Sequence, residues 1–77
     1  MKTFNKFNLT YKNIVDAPNE ILIKFFNCIS RFEVINWLSW NDANGIYQDK
    51  ESKKEFGNTL TKEEAILIMK RQINDNK

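Results

Sequence analysis

Residues 30–45 read SRFEVINWLSWNDANG, and the fold turns on how this stretch is parsed. Ser30 and Glu33 stand at capping-box spacing: the serine oxygen can accept the amide three residues on while the glutamate reaches back. A helix is therefore expected to open at Arg31. Asn44-Gly45 supplies residues that tolerate left-handed backbone, so the helix should stop near residue 43.

Upstream, Asp16-Ala17-Pro18-Asn19-Glu20 reads as another helix start, with Asp16 as the cap and Pro18 and Glu20 in the first turn. That helix should span about 17–29, burying Leu22, Phe25, Phe26 and Ile29, with Ile21 and Cys28 widening the stripe. Cys28 is expected to be a small buried hydrophobe. Almost no chain separates the two helices, so they should meet in a tight corner or hairpin.

Downstream, residues 46–58, IYQDKESKKEFGN, read as a long charged surface loop with room for one helical turn at 50–56. Thr61 and Glu64 form a second capping box and open a helix over about 62–74. On it Ala65, Ile66, Ile68, Met69 and Ile73 share a face, and Leu67 lies off it. In residues 1–15, Phe7, Leu9 and Tyr11 alternate. They form either a short strand paired with 45–48 or, as preferred, an extended arm laid across the helices. The expected fold is mainly α, a small three-helix single domain over 1–77 with an N-terminal extended arm or short strand.

Composition narrows the function classes. An apolar fraction of 42% suits a folded globule, and a net charge of +2 from 12 basic and 10 acidic residues is too balanced for a dedicated phosphate binder. One cysteine rules out an intramolecular disulfide. With no apolar run of leader or membrane-span length, a cytoplasmic protein without membrane association is expected. Histidine is absent, which removes the usual general base and the commonest transition-metal ligand. Gly45 and Gly57 are the only glycines, so no phosphate-cradling loop exists. No catalytic residue, metal ligand or cofactor is assigned, and an enzyme is not expected.

Three binding readings follow. If Gly45 takes the obligatory glycine place of an EF-hand loop, with the calcium-binding part over 42–51, then Asp42, Asn44 and Glu51 fall where oxygen ligands belong, with Asp49 nearby. The first position is Trp40, however, which has no oxygen to offer. Nucleic-acid binding through Lys62, Lys70 and Arg71 with Lys50, Lys53 and Lys54 is disfavoured, because Glu51, Glu55, Glu63 and Glu64 interleave with them. The preferred reading starts from the wheel of the second helix. Phe32, Val34, Ile35 and Leu38 cover a core-facing arc, leaving Glu33, Asn36, Trp37 and Trp40 as an aromatic and acidic stripe with Tyr47 near its end. Large exposed aromatics mark interaction surfaces. The sequence thus suggests a small non-enzymatic protein-interaction module of accessory, inhibitor or immunity type. Its partner would be an unidentified protein, with self-association left open.

Overall fold

Ser30 accepts the Glu33 amide at 3.2 Å and Thr61 accepts the Glu64 amide at 3.1 Å. The two helices opened by these caps form the centre of the fold. The structure, a computed structural model, describes residues 3–4 and 9–76. After a 3₁₀ turn at Asn13–Asp16 come α1 (Asn19–Cys28), α2 (Arg31–Asn41), α3 (Asp49–Phe56) and α4 (Lys62–Asp75). The protein is mainly α, as expected, but with four α-helices in place of three.

The additional helix is α3, inside the stretch expected to be a loop. It carries Asp49 and Glu51 in its first turn and Lys53 and Lys54 in its last, the arrangement that suits the helix dipole. Gly57 ends it at φ 79°, a left-handed position open to glycine without strain. Because Ser52 is the one residue α3 buries, no apolar period announces it.

α1 starts later than expected. Ala17 is held extended (φ −67°, ψ 141°) ahead of Pro18, as a residue before proline tends to be. That leaves Asp16 in the 3₁₀ turn, and Pro18 takes the cap position without a side-chain bond. Ile29 and Ser30, both extended, then make the corner into α2.

Two hydrogen-bond groups fix the direction of α4 against α2. At the start of α2, the Arg31 Nε donates to the Leu60 carbonyl at 2.7 Å. At its end, the Asn41 side chain donates to Gln72 at 2.8 Å and accepts from Asn76 at 3.2 Å. The two helices therefore run parallel. Parallel neighbours need a connection that returns the length of a helix, about 16 Å for the eleven residues of α2. Residues 42–61 make that return. Along it Gln48 bonds Asn36 and Ser39, and Asp49 pairs with Arg31.

Trp37 stands at the middle of the core, with Val34, Ile35 and Leu38 from α2, Phe25 and Ile29 from the α1 end, and Ala65, Met69 and Ile73 from α4. Phe4, Tyr11 and Ile14 close it from the N-terminal side. The buried Trp37 indole donates to the Tyr11 carbonyl at 2.9 Å. A large hydrophobe and its polar tip are thus satisfied by one segment. Phe4 packs on Tyr11 and Phe25, with ring centroids 4.7 and 4.8 Å apart. In the N-terminal arm the Phe4 amide donates to the Leu9 carbonyl at 2.9 Å. Thr3 bridges Thr10 antiparallel, so the β partner lies within the arm and not at 45–48. Phe7 lies outside the described residues.

Two expectations about packing are corrected. Cys28 is exposed. At about 100° per residue it falls to one side of Phe25, while Leu22 and Phe26 fall to the other, and the core lies on their side. Gly45 is also not a left-handed helix stop, since Gly57 is the glycine with positive φ. Asp42 ends α2 with its amide on the Leu38 carbonyl. Instead the Tyr47 ring occupies the space a Cβ on Gly45 would need.

Candidate functional site: the outer face of α2 and the α1–α4 groove

The stripe expected on α2 changes membership. Trp37 is buried and belongs to the core, whereas Phe32, expected inside, is 72% exposed. The outward face of α2 therefore runs Phe32, Asn36, Trp40 at four-residue spacing, with Glu33 on its flank. Trp40 is 44% exposed, and its ring meets Tyr11 edge-on at 5.6 Å. Asn36 accepts from Gln48 at 3.3 Å. Burial, with the Glu33 charge nearby, pushes the Tyr11 phenol above its ordinary value.

Tyr47 folds back to the end of α2 but turns toward α4. Its hydroxyl donates to Asp42 at 2.7 Å and accepts from Gln72 at 2.9 Å. Burial and the Asp42 bond raise its pKa. Of the five residues assigned to the patch, Glu33, Asn36 and Trp40 share the outer face, Trp37 lies beneath it, and Tyr47 is at the far end of the helix.

Side-chain bonds engage two of the four oxygen donors of the calcium reading. Asp42 accepts from Tyr47. Asp49 is gripped by Arg31, which holds its carboxyl below the usual range. Among the described residues no three His, Cys, Asp or Glu side chains cluster as a metal site would need.

A second surface, one that sequence reasoning missed, lies between α1 and α4. Asn19, Leu22, Ile23, Phe26 and Asn27 form one wall, and Lys70, Arg71, Ile73 and Asn74 form the other, around a groove of about 590 Å³. Its floor is Ile73, buried, with Leu22 and Phe26 partly covered, and Ile23 stands 62% exposed at the lip. The Lys70 ammonium sits 5.2 Å from the centre of the Phe26 ring, a cation–π contact. Phe26 in turn meets Phe25 edge-on at 5.2 Å, which ties the groove wall to the core. None of the nine lining residues is acidic. The two walls lie about 50 positions apart in the chain, too far for any local pattern to link them. The one local signal was Ile23, an apolar residue off the buried line of α1.

Compared with known proteins, the chain matches no family model, no curated protein and no solved structure.

Proposed function

We propose that this protein is a small non-enzymatic interaction module that docks a partner protein in the α1–α4 groove. The observation that carries the reading is the groove itself, a concave apolar floor edged by cations on a chain of 77 residues. Concavity matters because a partner side chain placed there is surrounded and loses water on several sides, whereas one resting on a convex face is not. The absence of histidine supports a binding role over a catalytic one.

The outer face of α2 is the rival docking surface, favoured by Phe32 at 72% exposure. Capture experiments with wild type, Ile23→Arg and Trp40→Ala separate the two. A partner lost with Ile23→Arg and kept with Trp40→Ala supports the groove. The reverse pattern transfers the function to α2.

A further inference from the structure

We infer that the occupant of the groove is an acidic amphipathic helix of a partner protein, an inference that rests on the groove being the docking surface. Charge is the first argument. Over the whole chain basic and acidic residues are nearly equal, yet the groove lining holds Lys70 and Arg71 and no carboxylate. Among the described residues the ion pair formed is Arg31–Asp49, so neither groove cation is paired with a carboxylate. Lys70 rests instead on the Phe26 ring. An aromatic face holds an ammonium more weakly than a carboxylate does, so an incoming acidic side chain can draw Lys70 off the ring and uncover Phe26.

Shape is the second argument. Residues of α1 from Asn19 to Asn27 and of α4 from Lys70 to Asn74 wall the groove, and the two walls meet where Lys70 lies over the Phe26 ring. The α1 wall from Asn19 to Asn27 is about 12 Å long and the α4 wall from Lys70 to Asn74 about 6 Å, room for one to two turns of a helix. Helices that bind in grooves present apolar anchors one turn apart, and the floor of Leu22, Phe26 and Ile73 with Ile23 at the lip can take two of them. The amides of Asn19, Asn27 and Asn74 can bond polar groups at either rim. A nucleic-acid strand fits less well, because a polyanion needs a longer line of cations than the two present and would leave the aliphatic floor unused.

The test is a titration of the isotope-labelled protein, followed by its amide resonances, with three probes. One is a synthetic amphipathic helix with leucines a turn apart flanked by glutamates. The second has the same leucines with lysines replacing the glutamates, and the third is a single-stranded oligonucleotide. The acidic peptide is expected to move Ile23, Phe26, Lys70 and Ile73. Its affinity should fall about tenfold in the Lys70→Glu, Arg71→Glu variant, and the lysine peptide should bind that variant better than wild type. Both side chains are exposed, so the variant should keep its fold, and its own spectrum reports whether it does. If it does not, Lys70→Gln with Arg71→Gln should give a smaller loss in the same direction. Equal or tighter binding of the lysine peptide or the oligonucleotide in the wild-type groove overturns the acidic occupant and leaves the groove reading standing. Groove resonances unmoved by every probe overturn both.

Discussion

Helices α2 and α3 adjoin in the chain and are held by opposite means. α2 buries Val34, Ile35, Trp37 and Leu38 and stays helical because the core closes around it. α3 buries Ser52 alone and is held at its ends: Asp49 to Arg31, the Ser52 hydroxyl to the Asn58 carbonyl at 3.0 Å, and the left-handed Gly57. The difference teaches where each helix can be broken. α2 should fail only with the whole domain, whereas α3 can detach while the core stands.

The largest test of that contrast is Trp37→Ala. It should cost about 3–5 kcal/mol of stability in urea unfolding, through the cavity left and the orphaned Tyr11 carbonyl. In so small a domain that loss approaches the whole stability, so little folded protein should remain. A loss near 1 kcal/mol would mean that α2 is not closed in by the core. Next comes Gly57→Ala, which forces a side chain into the left-handed region and should cost about 1 kcal/mol. Hydrogen exchange should place the damage in the amides of α3 and leave those of α2 protected.

Acid should act on the same helix. Bonding to Arg31 lowers the Asp49 carboxyl, so its contribution is complete above the ordinary aspartate range and is lost as pH falls through the lowered value. The protection of α3 amides should therefore fall in acid before global unfolding, and Arg31→Gln should lower that protection at neutral pH and remove its dependence on Asp49 titration. Loss of α2 and α3 protection together would contradict the separation. The smallest effect belongs to Phe32→Ser on the outer face of α2, expected to change stability by no more than about 0.5 kcal/mol. A cost comparable to that of Trp37→Ala would mean that Phe32 is covered by a partner in solution.

The same contrast governs what could be read from sequence. Helix starts written in side-chain chemistry were legible: Ser30 and Thr61 opened α2 and α4 at the expected residues. α3 was not legible because end effects, and not an apolar period, hold it. The wheel of α2 misplaced Phe32 and Trp37 because apolar residues surround that helix, leaving the pattern no preferred direction. A wider wheel cannot repair this, since the deciding contact is the Tyr11 carbonyl, 26 positions away. For the site, Trp40 and Asn36 were found on an outer face, but the groove joins residues 19–27 to 70–74 and exists only once α4 has packed.

The parallel run of α2 beside α4 has a consequence for how the chain folds. An antiparallel helix pair can zip from its connecting turn, each new contact adjoining the last. Here no such turn exists. The first contact between α2 and α4 must close the 42–61 segment at once, and the entropy of that closure is lost before Trp37, Leu38 and Met69 can meet. Folding should therefore be slower than in a helical hairpin bundle of equal length, with the rate set by this closure and not by helix growth.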